Sequence, residues 1–515
     1  MERNLVRFRA EGSHVKFPLF VAALLVGQTA KAERPLTYTE VLRAAVQANP
    51  ALSRAGFSEQ EAEASLMASR GIFDPNFGVD VSWRNAKFRG IDQQLGFPFE
   101  GSNQRWNLTN SLNGSTSTGT AYSLSAGLTN DSVTSAVSLG GGSTLDSEQR
   151  QYESNATASI TQQLLRGVIA KYNLQNVTLS RQNYTVAQLG TERSRQETLS
   201  LAAENYWNWV YQSNLRDIGL ESVAVAEEAL RVGRLKVEAG ELAPVEETRL
   251  EAALVQSQSM ALDSYNAAEM AANAMLLVMG ESPDQEIIPA TQPGDVMPME
   301  LDLASATEVA LAQNLDIAVA RANRDTAEMQ QAVSKHGRLP SLSATVSGGV
   351  SGLSNQARDI NGAVTKDASA SEALGNLTGT DSQPFMSVGG NFTVPLGNRA
   401  ARGEADRAGY AVYRTRSDLE ELERSVVAQV EEQVRTLDSA RRKVELADAN
   451  LRLAEVTLKA EEALSDAGRS IQKDVLEARN EVTRTKAEAT KARTDYRVAL
   501  VVLRKLQGQL EEDVP

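Results

Sequence analysis

Few side chains in this sequence are equipped for covalent chemistry. Cysteine is absent, and histidine occurs only at His14 and His336. Thiolate nucleophiles, thiolate metal sites and disulfides are therefore excluded, and a serine triad or a histidine-rich metal centre lacks its parts. Gly140-Gly141-Gly142-Ser143 has the glycines of a phosphate loop but not its lysine. His336 has no second histidine near it and reads as structural. No catalytic residue, cofactor or metal is expected. What remains is charge. Asp474 and Glu477 stand three apart in Ile471-Gln472-Lys473-Asp474-Val475-Leu476-Glu477, so a helix puts them on one face. Carboxylates clustered by association of several chains would attract cations; in one chain they read equally well as a solvated acidic face.

The rest of the composition narrows the class. Of 515 residues, 42% are hydrophobic, 23% charged and 5% aromatic. No apolar run reaches the eighteen or so residues that a membrane-spanning helix needs. Residues 1–32 read as a secretory signal peptide: basic Arg3, Arg7, Arg9 and Lys16, an apolar stretch from Phe17 to Gly27, and Ala30-Lys31-Ala32 as the cleavage site. No cysteine follows it, so a lipid anchor is not expected. Removing a leader of net charge +3 takes the chain from −14 to −17. An acidic exported chain is a poor nucleic-acid binder, which needs basic surface.

The elements that must position any site occur twice. Leu36, Ala45, Asn49, Ala55, Ala62, Glu63, Ser69, Pro75 and Ser82 fall, without a gap, on Leu301, Ala310, Asn314, Ala320, Ala327, Glu328, Ser334, Pro340 and Ser347. A first repeat is placed at 33–280, with strands near 75–165 and long helices near 168–280. A proline-rich linker, 281–300, carries Pro283, Pro289, Pro293 and Pro298. A second repeat follows at 301–510, with strands near 340–396 and long helices near 400–510, and then a tail, 511–515. Two copies suit an internally duplicated domain better than a solenoid.

Each copy runs helix, strands, very long helix, glycine turn, helix. The opening helices are expected over Tyr38–Arg70 and Leu303–Lys335. Helical patterns of about 70 residues then lead to Ala239 and Ala467, and would span roughly 105 Å. Leu199, Ala202 and Tyr206, like Val427, Val430 and Val434, sit at one helical face. The shorter helices, laid end to end, match the long ones. The expectation is a helical rod of about 100 Å with irregular structure round its middle.

Four segments alternate clearly: Phe77–Trp83, Ala156–Leu164, Leu342–Ser347 and Ser387–Val394. Small residues dominate one face and Val, Leu, Ile and Phe the other, the dyad pattern of a membrane β-barrel. A soluble sandwich on a helical stalk is the plainer reading. Four strands are too few to close a barrel, and open edges are not tolerated in lipid, so copies must associate. Three copies would supply twelve strands. The segment from Trp106 to Leu139 also alternates and stays open between an extra hairpin and a long surface loop. Trp83 and Trp106 border strands and suit an aromatic girdle; Trp207 and Trp209 read as interfacial or packed.

In the order of these features, twice over, the chain resembles the TolC-like outer-membrane efflux proteins. The resemblance rests on the leader without a lipid-anchor cysteine, the duplication, Gln47-Ala48-Asn49-Pro50 with Ala312-Gln313-Asn314-Leu315, and Asp74-Pro75 with Leu339-Pro340. The turns Glu238-Ala239-Gly240-Glu241-Leu242 and Asp466-Ala467-Gly468-Arg469-Ser470 complete it. It covers about 36 to 510. It implies a membrane α+β fold: two strand pairs per chain in a trimeric 12-stranded β-barrel, and long antiparallel helices forming a periplasmic α-barrel with an equatorial region. It implies an outer-membrane exit channel of a tripartite efflux pump or type I secretion system. The partners would be two further copies of the chain, a periplasmic adaptor, an inner-membrane transporter and outer-membrane lipid, with no nucleic acid.

In that frame Ala239, Gly240, Leu242, Ala467, Gly468 and Ser470 would dock the adaptor, though they are equally structural turns. The family commonly has Val-Gly where this chain has Ala-Gly. Asp474, Glu477, Glu246 and Arg469 would line the tunnel constriction. Stacked carboxylate rings there would favour cations and respond to pH or divalent ions. Glu246 occupies the first-copy place of Asp474, and Arg469 is expected to pair with Glu246 across the tip. A trimeric coiled-coil surface adhesin or structural stalk is the other class considered. It would show one uninterrupted heptad run. The exported substrate, the adaptor and the pump type are not written in the sequence.

Overall fold

The structure is a computed structural model that describes residues 34–91, 96–140, 143–283, 285–294, 302–359, 362–467, 469 and 472–510. The leader, the tail, Gly468, Ser470 and 295–300 of the linker lie outside the described residues. The first repeat opens with β1 (Arg34–Leu36), α1 (Tyr38–Ala48) and α2 (Pro50–Arg70). Four long strands follow: β2 (Asn76–Ile91), β3 (Pro98–Ser115), β4 (Thr120–Gly140) and β5 (Ser143–Gln163). Then come α3 (Ala170–Asn173), α4 (Gln175–Glu238), α5 (Pro244–Val278) and β6 (Ile287–Pro289). The second repeat has α6 (Leu303–Gln313), α7 (Leu315–Gly337), β7 (Ser341–Asn355), β8 (Ala357–Arg358) and β9 (Val364–Lys366). It ends with α8 (Ala370–Gly375), β10 (Gln383–Thr393), α9 (Arg399–Asp466) and α10 (Gln472–Leu506).

The opening helices differ from the sequence expectation in one respect: each is broken by an asparagine. Thr37 starts α1 with a capping box, its hydroxyl accepting from the Glu40 N–H while the Glu40 carboxylate accepts from the Thr37 N–H. Asn49 then turns extended, with ψ 120°, because the ring of Pro50 disfavours the α conformation in the residue before it. Asn314 makes the same break, with ψ 125°, before a leucine. There its amide donates to the Leu506 carbonyl at 3.1 Å, so a tertiary bond does what the proline does in the first copy. Beside each break lies a left-handed glycine. A Cβ on Gly280 would come within 2.9 Å of the Ala48 Cβ, and one on Gly508 within 2.7 Å of the Gln313 carbonyl oxygen.

The described residues divide into two compact units, each drawing on both repeats. One comprises 34–54, 193–314 and 425–510. Its core gathers Val41 and Leu42 of α1, Leu199, Tyr206 and Trp209 of α4, Met275 and Leu276 of α5, and Val501 of α10. The face predicted through Leu199, Ala202 and Tyr206 is this buried one. The parallel pair β1–β6 lies at its edge, and the described linker is pinned to it. Tyr206 accepts the Thr291 N–H at 3.0 Å, and Arg497 lies over the Trp207 ring and donates to the Pro293 carbonyl at 2.7 Å.

The second unit, 55–192 and 315–424, holds a six-stranded antiparallel sheet in the order β10-β7-β5-β4-β3-β2, beside the small β8–β9 pair. All four predicted strands are in it. The open segment around Trp106–Leu139 forms β3 and β4 of the same sheet, so the chain supplies three strand pairs where two were counted. The signal was weak because Asn110 interrupts the apolar positions Trp106, Leu108 and Leu112, and Gly114 ends them. Ion pairs Arg416–Glu328 at 2.6 Å and Arg321–Glu423 at 3.1 Å tie α9 to α7 in this unit.

Candidate functional site

The sheet is two-faced, and its register shows how. Phe77, Leu112, Leu124, Ala158, Gly348 and Met386 form one row across all six strands. Because side chains alternate, every second row shares that face. The next such row down runs from Tyr122 through Ile160 and Val346 to Val388. Higher on the same face stand Val81 opposite Leu108 and Trp83 opposite Trp106, the two indoles with centroids 6.5 Å apart. Phe77, Val79, Val81, Trp83, Val388 and Phe392 are all exposed, an apolar surface with no cover in a single chain. The predicted girdle tryptophans sit at its upper border; Trp207 and Trp209 are packed in the other unit's core.

The opposite face is polar. Asn76, Asn113, Ser123, Ser159, Ser347 and Ser387 form a row there, and Ser347 and Ser387 hydrogen-bond at 2.7 Å. Thr161 and Thr345 bond at 3.0 Å, and higher up Arg105 is paired with Asp131. A sheet with hydrocarbon on one side and water on the other needs this split. The short helix α8 sits on the apolar face only above the apolar rows of β5 and β7. The Ser154 hydroxyl donates to the Ala373 carbonyl there, and the Asn376 amide to Leu353. Gly352 leaves room for it: a Cβ at that position would lie 2.2 Å from the Ala373 oxygen.

The other unit carries the predicted tips. After α4 the chain reverses through a Schellman motif: the Glu241 N–H donates to Lys236 O at 2.8 Å and the Gly240 N–H to Val237 O at 3.0 Å. Gly240 has φ +76°, where a side chain is strained. The Arg469 N–H donates to Leu464 O at 2.8 Å, the same long bond at the second turn. Ala239, Gly240 and Ala467 are exposed, and Leu242 is half-buried.

The acidic residues lie just beyond these turns: Glu246 in the first turn of α5, Asp474 in the first turn of α10 and Glu477 in the next. Val475 and Ala478 are buried, which leaves Asp474 half-buried and Glu477 exposed on the adjoining face. Lys473 pairs with Glu477 at 3.3 Å. Glu246 has a different partner from the one expected: Arg249, one turn along its own helix, holds it at 2.7 Å. Spacing of i to i+3 makes that pair local, whereas a bond to the exposed Arg469 must hold two long side chains across a turn. Pairs between helices are also present, Arg234–Glu247 at 2.9 Å and Arg479–Glu462 at 2.9 Å, and neither was singled out from sequence. His336 accepts the Gly167 N–H at 3.2 Å and packs edge-on to Tyr172, a structural place as expected. Among the described residues no group of three or more His, Cys, Asp or Glu is arranged to hold a metal. No described helix is long and apolar enough to cross a membrane.

Comparison with known proteins gives a consistent result. Residues 306–509 match the family described as outer membrane efflux protein. The fold is similar to the CmeC outer membrane channel of Campylobacter jejuni, with a TM-score of 0.62 at 15% identity over 92% of this chain and 85% of that one. It is similar to the outer membrane protein VceC of Vibrio cholerae, TM-score 0.60 at 11% identity over 92% and 96%. It is also similar to the open state of the MtrE outer membrane channel of Neisseria gonorrhoeae, TM-score 0.59 at 15% identity over 92% and 89%. No curated protein matches by sequence.

Proposed function

We propose, from the match of residues 306–509 to the outer membrane efflux protein family, that the chain is a member of that family and the outer-membrane exit channel of a tripartite efflux pump or type I secretion system. It works as a passive homotrimeric duct across the outer membrane and the periplasm, with no catalysis of its own. A periplasmic adaptor and an inner-membrane transporter complete the assembly and supply the driving energy. The single observation that carries the reading is the sheet: apolar on one face, polar on the other, with bare backbone along both edges. Such a sheet is satisfied in lipid only when further copies close it. The leader 1–32, repeats 33–280 and 301–510, and linker 281–300 belong to the same reading. A coiled-coil stalk is not favoured, because the sheet takes four strands from the first repeat and two from the second, between helices.

Ala239, Gly240, Leu242, Ala467, Gly468 and Ser470 are the adaptor-docking tips. The tunnel narrows at Asp474 and Glu477, with Glu246 and Arg469 beside them. The purified trimer in planar bilayers is expected to conduct ions; a stalk would not. In the same bilayers, Asp474→Asn combined with Glu477→Gln is expected to bring the cation-over-anion preference down toward unity while the channel still inserts. Unchanged selectivity would return the pair to an ordinary solvated face.

A further inference from the structure

The extra hairpin, β3–β4, changes what three copies can build. Its outward positions Leu108, Leu112, Leu124 and Leu128 lie in register with the apolar rows of the other strands. A hairpin projecting into water has no reason to carry that face. Its turn is also fixed at the end of the sheet where the helices attach: the Gln163 N–H donates to Gly119 O at 3.1 Å, and the Asn173 amide to Ser117 O at 2.9 Å.

The apolar band moves along the strands in a regular way. On β10 it runs from Phe392 to Pro384, centred on Val388. Followed through the register, Val388 leads by way of Val346, Ile160 and Tyr122 to Gly114, level with position 75. On β2 the band runs from Phe77 to Trp83, centred on Asp80, five residues higher. Five residues over five strand steps is one residue per strand. With a rise of about 3.3 Å and a spacing of about 4.8 Å, the strands then tilt by roughly 35° from the barrel axis. Barrel strands tilt by about 35–45°. A level band is recovered only if β3 and β4 count as wall strands.

Both outer strands, β10 and β2, have one bare edge. With six antiparallel strands they run in opposite directions, so β10 of one copy meets β2 of the next in antiparallel fashion. We propose that three copies close a barrel of eighteen strands, six from each, rather than the twelve that the family resemblance implies. Diameter grows roughly linearly with strand number, so the lumen is about half as wide again and suits bulkier exports. The one-residue climb also fixes the joint: Val388 of one copy faces Val81 of the next, both outward and exposed by 68% and 63%. This inference rests on the duct reading.

The cysteine-free chain makes the test direct. In the full-length protein, Val81→Cys combined with Val388→Cys is expected to give a covalent trimer on oxidation, and each single variant a monomer. Failure to cross-link, with insertion intact, overturns the joint. Single cysteines at Leu108, Leu124, Thr109 and Ser125, each carrying a bimane probe, decide the strand count in vesicles containing brominated lipid. Quenching at Leu108 and Leu124 but not at Thr109 and Ser125 is expected. If Leu108 and Leu124 are unquenched while probes at Val81 and Val346 are quenched, the hairpin projects and eighteen strands are wrong. If probes at Val81 and Val346 are unquenched as well, the sheet is not in the membrane and the duct reading itself falls. A twelve-stranded dimer by mass photometry would also overturn the proposal.

Discussion

Tyr206→Ala is expected to cost about 3–5 kcal/mol of stability, as removal of a buried large aromatic does. The side chain is fully buried. Its ring packs edge-on against Tyr38, Trp207 and Trp209, with centroids 5.4, 5.3 and 5.7 Å away. Its hydroxyl accepts from the Thr291 N–H and lies 3.3 Å from Leu36 O and 3.2 Å from Thr291 O, one of which takes its proton. One residue thus holds β1, α1, the linker and α4 together. Thermal unfolding followed by circular dichroism measures the loss. Tyr206→Phe keeps the ring and strands the Thr291 N–H, so about 1–3 kcal/mol is expected there. An undiminished melting temperature in the alanine variant would show that this core does not limit stability.

The same residue gives a pH dependence of known sign. Burial pushes the Tyr206 hydroxyl above the ordinary tyrosine range. The folded chain therefore holds that proton more tightly than the unfolded chain. The stabilisation is complete below the ordinary tyrosine value of about 10 and is lost as pH rises through the higher folded value. Alkaline unfolding should be shallower in Tyr206→Phe.

Leu124→Arg carries the second large effect. Leu124 stands within the apolar band of β4, between Tyr122 and Leu128 on the same face and opposite Leu112 and Ala158. An arginine facing lipid near the bilayer midplane costs about 2–4 kcal/mol. Assembled trimer recovered from the outer-membrane fraction is expected to fall several-fold, and urea unfolding in detergent to shift to lower concentration. Ser125→Arg, one residue on, points to the polar face and should leave both unchanged. Equal effects at the two positions would refute the assignment of faces.

The residues that could be read in advance are those whose pattern is local. Period-two alternation marked Phe77–Trp83 and Ser387–Val394, and the helical face at Leu199, Ala202 and Tyr206 became the core. The glycine turns were visible because a reversal after a long helix needs a left-handed residue, and Gly240 supplies it. The α1–α2 break was in principle legible, since Pro50 forces it. Its counterpart at Asn314 was not, because the bond to Leu506 spans nearly two hundred residues.

The site residues divide in the same way. That Asp474 and Glu477 share a face follows from spacing alone. That Glu246 is taken by Arg249 rather than Arg469 depends on which side chains the folded helices bring within reach. By itself the sequence determined the class: a cysteine-free, acidic, duplicated chain of long helices and alternating strands. Only the tertiary structure decided that β3 and β4 belong to the same sheet as the other four strands, because strand membership is set by register with neighbours. Polar residues dilute a strand's own alternation without weakening its backbone hydrogen bonds to the strands on either side.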